Sequence, residues 1–166
     1  MALENLIREI VNDPKFVQGV AWKRWRFRAN EIIVKEGDIA KTLFLIEDGE
    51  LRVSVHVELE DRRNMTTGVG DLKKGDIFGD TCLHESSVRT ASVIATTDGC
   101  LLEINGEKLN EYLDAHPIKG YAFYRMLFEI LFKRLNNGNR RIEYLLAWGL
   151  KARRSAEKSI PIFRKI

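Results

Sequence analysis

Three regimes of apolar spacing divide the chain. In residues 2–12, ALENLIREIVN, the side chains Leu3, Leu6, Ile7, Ile10 and Val11 fall three and four apart, which predicts an amphipathic helix. Asp13-Pro14 ends it, because the residue before proline avoids the α region. From about residue 21 to 104 the period changes to two, punctuated by Gly and Asp. In ELRVSVHVE, Leu51, Val53, Val55 and Val57 alternate with Arg52, Ser54, His56 and Glu58, the signature of a half-buried antiparallel strand. Asp48-Gly49, between TLFLIE and ELRVSV, reads as a tight hairpin turn, and Asp98-Gly99 as another turn. Residues 58–69, charged and polar, read as a hairpin tip. Many short strands with no helix between them predict an all-β roll or sandwich rather than a parallel sheet.

After His116-Pro117 the spacing is helical again. Tyr121, Tyr124, Leu127, Phe128, Leu131, Leu135, Ile142, Leu145 and Leu146 lie mostly three or four apart, with the proline in the first turn where it is tolerated. Asn136-Asn137-Gly138-Asn139 is a soft spot, since Gly costs ~1 kcal/mol against Ala inside a helix. The pattern allows a continuous helix weakened there or two helices meeting there. KARRSAEKSIPIFRKI reads as a loosely ordered basic tail. The resulting division is an N-terminal helical segment over 1–20, a β-roll over 21–115, a C-terminal helix over 116–150 and a tail over 151–166.

Composition narrows the function classes. With 166 residues, 45% apolar and 31% charged, the chain has room for one real core plus an element or two, and a net charge of +3 is a weak pointer to anionic ligands. No stretch approaches the ~18 apolar residues of a membrane span. The start, Met-Ala-Leu-Glu-Asn, lacks the cationic region and apolar core of a secretory signal. Cys82 and Cys100 stand apart in apolar company and read as reduced core thiols, which points to the cytoplasm. His56, His84 and His116 form no His-x-His pair, so the metal cluster of a β-roll enzyme is not expected. Neither is a cofactor, a Ser/His/Asp arrangement or a catalytic carboxylate pair, and the chain reads as a non-enzyme. The segment Trp22-Lys23-Arg24-Trp25-Arg26-Phe27-Arg28 has the ingredients to stack and pair with nucleic acid. The favoured reading is the first strand of the roll, aromatics inward and basics outward.

One segment carries chemistry. GDLKKGDIFGDTCLHESSVRTASVIATTD contains Phe78-Gly79-Asp80, then Thr81-Cys82-Leu83-His84, then Arg89-Thr90-Ala91-Ser92-Val93. It resembles the phosphate-binding cassette of cyclic-nucleotide-binding domains, found in catabolite-activator-type regulators, in regulatory subunits of cyclic-nucleotide-dependent kinases and in gated channels. The nine-residue step from Asp80 to Arg89 is similar to the kinase-type spacing. Glu36-Gly37-Asp38 and TLFLIEDGELRV resemble the family's early Gly-acid turn and its following strands, so the likeness covers roughly residues 25–150. It implies an antiparallel β-roll of the double-stranded β-helix (jelly-roll) type with flanking helices. It also implies cAMP or cGMP as ligand, a homodimer formed through the C-terminal helix and a protein output partner. Regulators of the activator type carry a DNA-reading domain of a further ~60–80 residues, for which this length leaves no room, so direct DNA binding is not expected.

The candidate ligand-binding residues are Gly79, Asp80, Thr81, Cys82, Arg89, Thr90 and Ala91. A cyclic phosphodiester carries one full negative charge. A short helix opening on Gly79 would aim amide N–H groups at it, and Arg89 would add charge-assisted hydrogen bonds worth about 1.5–3 kcal/mol each. The resemblance gives the acid after the glycine a role on the ribose 2′-hydroxyl. Here that acid is Asp80 where the family has Glu, one methylene shorter, and an N-cap role for Asp80 stands beside the ligand role. For Arg89 the alternative partner is an internal acid, Glu85 or Asp80. The resemblance makes Thr90 a pointer to guanine, and sets the base against residues between Leu135 and Arg141. Ser86 and Ser87 add hydroxyls nearby. The rival to a sensor keeps the fold and drops the ligand: a degenerate cassette serving as a dimerisation or docking module.

Overall fold

The structure, a computed structural model, describes residues 2–58, 64–84 and 88–158. Helix α1 (Leu3–Val11) is followed by strands β1 (Trp22–Phe27), β2 (Ile32–Val34), β3 (Thr42–Asp48), β4 (Glu50–Glu58), β5 (Asn64–Lys73) and β6 (Ile77–Phe78). A short 3₁₀ turn over Asp80–Leu83 leads to β7 (Ser92–Ala95), β8 (Gly99–Asn105), α2 (Gly106–Ala115) and α3 (Pro117–Lys158). The strands form two antiparallel four-stranded sheets, ordered β1-β8-β3-β6 and β2-β7-β4-β5. This is the jelly-roll that the resemblance implied. None of the described helices is long and apolar enough to cross a membrane.

The period of two assigns the faces of the first sheet. Phe27, Phe44, Ile46, Phe78 and Leu101 point into the roll, where they meet Val34, Leu51, Val93 and Ala95 of the second sheet. The alternate phase of the same strands, Leu43, Leu45, Leu102 and Ile104, is also buried. Both faces are therefore apolar. The helices supply cover: α1 buries Leu3, Leu6, Ile7, Ile10 and Val11, and α2 buries Leu109 and Leu113. Each such side chain contributes about 1.5–3 kcal/mol on full burial. Glu47 of β3 ties α1 and β1 to the sheet, accepting from Arg8 Nη1 at 3.0 Å and from Arg24 Nη2 at 3.0 Å.

Four expectations from the pattern are corrected. Asp48-Gly49 is a turn, with Gly49 at φ +88°, but not a hairpin. β3 pairs with β6 and β8, and β4 with β5 and β7, so the chain crosses between sheets there. A tight turn dictates a reversal of direction and leaves the pairing partner open. Residues 64–69, taken as hairpin tip, belong to β5 and pair with β4 despite their polarity, because backbone pairing does not require apolar side chains. Helix α2 was not anticipated: its apolar positions are sparse among charges. Finally, α3 runs unbroken through Asn136–Asn139, one of the two forms the pattern allowed, but continues to Lys158, past the expected start of the tail at 151. The rest of the tail, 159–166, lies outside the described residues.

The chain divides between Phe123 and Tyr124 into two units. In the second, the helix presents Phe128, Leu131, Leu135, Ile142 and Leu145 at steps of three, four and seven, all exposed.

Candidate functional site

The site is assembled around one buried cation. Arg89, 7% exposed, is one of two buried polar side chains among the described residues, the other being Ser54. Its backbone is held by the Glu36-Gly37-Asp38 turn: Arg89 N–H donates to the Asp38 carbonyl at 2.8 Å, and Gly37 N–H donates to the Arg89 carbonyl at 2.8 Å. Glu36 N–H donates to Ser92 Oγ at 3.0 Å, and Val88 bridges to Ile39. The early Gly-acid turn, distant in sequence, is thus the clamp that fixes the end of the cassette.

The guanidinium is held by neutral acceptors. Nη1 donates to the Gly79 carbonyl at 3.1 Å, and Nη2 donates to the Thr42 carbonyl at 2.7 Å and to Thr42 Oγ1 at 3.1 Å. The Phe44 ring lies 5.6 Å from its central carbon, at cation–π range. Among the described residues no ion pair within 4 Å includes Arg89. Burial pushes its pKa below the usual arginine value, opposed by the fields of Cys82, Asp80, Glu103 and Asp38. Arginine stays protonated through such a shift, so a full positive charge sits in the roll.

Gly79 explains the turn's sequence. It sits at φ +80°, and a Cβ there would stand 2.7 Å from Arg89 Nη1, 2.7 Å from the Thr42 carbonyl and 3.2 Å from the Phe44 ring. Only glycine lets the chain pass this close to the guanidinium. Asp80, Thr81 and Cys82 form the 3₁₀ turn that follows, closed by Cys82 N–H donating to the Gly79 carbonyl at 3.1 Å. Asp80 heads that turn, and Gly79, not Asp80, is the capping residue. Cys82 faces α2: a Cβ on Gly106 would stand 2.8 Å from its Sγ. Burial pushes its thiol up to about 11, so it is protonated at neutral pH. Thr90 is exposed and Ala91 half-buried beside Arg89. Glu85, Ser86 and Ser87 lie outside the described residues.

Arg89 also lines a cavity of about 210 Å³, with Trp25, Thr42, Phe44, Asp38 and Glu103. Arg89 is the one cassette candidate that reaches it. Thr42, Phe44 and Trp25 were missed as site residues in the sequence, where Thr42 is a strand-opening hydroxyl and the two aromatics are core positions. No local signal marked them, because each meets Arg89 or its cavity across a long separation. No group of three His, Cys, Asp or Glu among the described residues could hold a metal ion.

The family model described as the cyclic nucleotide-binding domain matches residues 24–116. The chain is 33% identical over 113 residues to the human potassium/sodium hyperpolarization-activated cyclic nucleotide-gated channel 4, an alignment covering 67% of this chain and 9% of the channel. The chain thus spans about a tenth of that relative's length. Among solved structures it is similar to a cyclic nucleotide-binding domain from Methylobacillus flagellatus, with a TM-score of 0.68 and 21% identity over 84% of this chain and 82% of that one. It is also similar to the c-di-GMP responsive global regulator CLP of Xanthomonas campestris, with a TM-score of 0.65 and 23% identity over 86% and 64% of the two chains.

Proposed function

The chain belongs to the cyclic nucleotide-binding domain family, and from that premise we propose that it is a regulatory sensor domain in which Arg89 neutralises the phosphate of cAMP or cGMP. The observation that carries this reading is a buried guanidinium held by carbonyl and hydroxyl oxygens, with no carboxylate paired to it among the described residues. A cation removed from water is costly unless an anion joins it. A phosphodiester supplies that anion, and each charge-assisted bond it accepts contributes about 1.5–3 kcal/mol.

Around this pair the other candidates take roles. Gly79 and Thr81 bring the backbone to the phosphate, Ala91 flanks Arg89, and Cys82 packs the turn against α2. Asp80 reaches for the ribose 2′-hydroxyl, directly or through water, and Thr90 selects guanine by a hydrogen bond to its amino group. The protein binds its nucleotide without converting it, in the cytoplasm, and passes occupancy on through the C-terminal helix to a protein partner. The exposed row Phe128, Leu131, Leu135, Ile142 and Leu145 supports pairing of that helix with a second copy, since its three-four spacing suits a coiled-coil seam. Leu131→Asp should then give monomers in sedimentation, and a wild type that sediments as a monomer removes the dimer.

A thermal-shift screen tests the sensor reading. A nucleotide at 100 times its dissociation constant should stabilise the fold by about 2.7 kcal/mol, raising Tm by several degrees. The rival docking module has its own support in the bonds from Arg89 to Gly79 and Thr42, which already occupy donors. It predicts no shift with any cyclic nucleotide.

A further inference from the structure

The exposed row of α3 is not uniform along its length. Steps of three and four carry it from Phe128, Leu131 and Leu135 through Gly138 to Ile142, Leu145 and Gly149. Up to Leu135 each position holds a large apolar side chain, and that half suits pairing with a second copy. Beyond it, two of the four positions are glycine, and no heavy atom lies within 4 Å of where either Cβ would stand. Protein partners pack by fitting knobs into holes, so a seam missing half its knobs is a poor one.

The same stretch is apolar on one side and basic on the other. At about 3.6 residues per turn, Ile142, Leu145, Leu146 and Leu150 share an arc of about 140°, with Arg140 and Lys151 opposite and Trp148 and Arg141 at one edge. The five apolar side chains are each more than half exposed, and the three cations are exposed as well. Charge is concentrated here too. Residues 133–166 hold ten of the chain's 27 Lys and Arg but two of its 24 Asp and Glu, a net +8 in a chain of +3 overall.

What covers such a face must be apolar, anionic and tolerant of gaps. A nucleic acid supplies phosphates but no apolar phase for four aliphatic side chains. A second copy supplies apolar side chains but brings the same positive charge alongside. A groove on an acidic protein supplies both, but must fit closely around Gly138 and Gly149. An anionic lipid surface meets all three conditions: headgroups for the cations, fluid acyl chains that fill gaps without matching shape, and an interface where indole rings settle. The helix is not apolar enough to cross a membrane, as befits one that lies in its surface.

We propose that α3, over residues 138–151, is an amphipathic docking surface for an anionic membrane. Ile142, Leu145, Leu146 and Leu150 enter the acyl boundary, and Arg140, Arg141 and Lys151 meet the headgroups. This goes beyond the sensor reading and does not depend on nucleotide.

The test uses the full chain without nucleotide, and vesicles of phosphatidylcholine alone or mixed in equal parts with phosphatidylserine. The protein should cosediment with the mixed vesicles about tenfold more than with the neutral ones, and high salt should release it. Tryptophan emission should shift to the blue on the mixed vesicles, and Trp148→Phe should abolish that shift. Leu146→Glu with Leu150→Glu, two exposed positions outside the row, should lower partitioning about tenfold or more. Arg140→Glu with Arg141→Glu should lower it about twentyfold or more. No cosedimentation with the mixed vesicles overturns the proposal. So does binding that survives the Leu146 and Leu150 changes, since charge alone would then explain it. Duplex DNA bound as tightly as the mixed vesicles, and equally by that variant, overturns it in favour of a polyanion contact. The emission of the wild type on vesicles needs no substitution, so a variant that fails to fold does not blunt the test.

Discussion

Two arginine centres in the roll use the same chemistry to opposite ends. Around Glu47, Arg8 and Arg24 close a cluster on the surface of the first sheet, with Glu4 beside Arg8 as the second carboxylate, so that two cations meet two anions. Around Arg89, inside the roll, the acceptors are the Gly79 and Thr42 oxygens, all neutral. The first centre is electrically complete and fastens α1 and β1 to β3. The second holds a cation in a fixed pose and leaves its charge uncompensated by any pair within 4 Å among the described residues. The two centres thus differ in the kind of oxygen that holds the guanidinium, carboxylate at one and neutral carbonyl and hydroxyl at the other.

The sharpest way to break this contrast is to remove each centre. Arg89→Ala should weaken cyclic-nucleotide binding about 100-fold or more, the loss of roughly two charge-assisted bonds. Glu47→Gln should leave affinity unchanged. A variant of Glu47 that loses nucleotide binding while folded would erase the distinction.

Next in size is Gly79→Ala. Positive φ and the approach to Arg89 Nη1 should together cost about 2 kcal/mol of stability, read from denaturant unfolding, and the displaced guanidinium should lower affinity as well. Unchanged stability would mean that the turn does not need glycine.

The Glu47 centre carries a pH signature. Burial pushes its carboxyl up, but hydrogen bonds and charge from Arg24 and Arg8 outweigh this, and the folded value lies below the ordinary glutamate value near 4.5. The unfolded chain takes up the proton first. The stabilisation is therefore complete above about pH 4.5 and is lost as pH falls through the depressed folded value. Melts from pH 6 to pH 3 should show wild type losing its Tm advantage over Glu47→Gln in that acid range. Because Arg24 and Arg8 are partly exposed, solvent screens the pair and the effect is small. An advantage that persists at pH 3 would deny the ion pairs a role.

The smallest expected effect is on selectivity. Thr90→Ala should change the ratio of cGMP to cAMP affinity by about fivefold, one neutral hydrogen bond, with cAMP binding almost unmoved. Equal losses for both nucleotides would assign Thr90 to packing.

The sequence made some of this legible and withheld the rest for physical reasons. The alternation Leu51, Val53, Val55 and Val57 announces a strand because period two is a local property of the chain. The spacing of Leu3, Leu6, Ile7 and Ile10 announces a helix for the same reason. Gly79 and Arg89 were marked by their motif. What the sequence did not disclose is who meets whom. Asp48-Gly49 looked like a hairpin because the turn is local while the choice between sheets is not. Helix α2 shows only Leu109, Tyr112 and Leu113 as apolar anchors, too sparse to stand out among charges. Thr42 meets Arg89 across 47 residues, and Trp25 lines the same cavity from β1. Such contacts exist only once two sheets have closed on each other.

The central claim is that the Arg89 guanidinium waits for an anionic ligand, and titration calorimetry tests it most directly. Wild type and Arg89→Ala would each be titrated with cAMP, cGMP and cyclic di-GMP. Saturable heat from cAMP or cGMP in the wild type, gone in the variant, is the predicted result. Heat that survives the loss of Arg89, or a wild type silent toward all three, would contradict it.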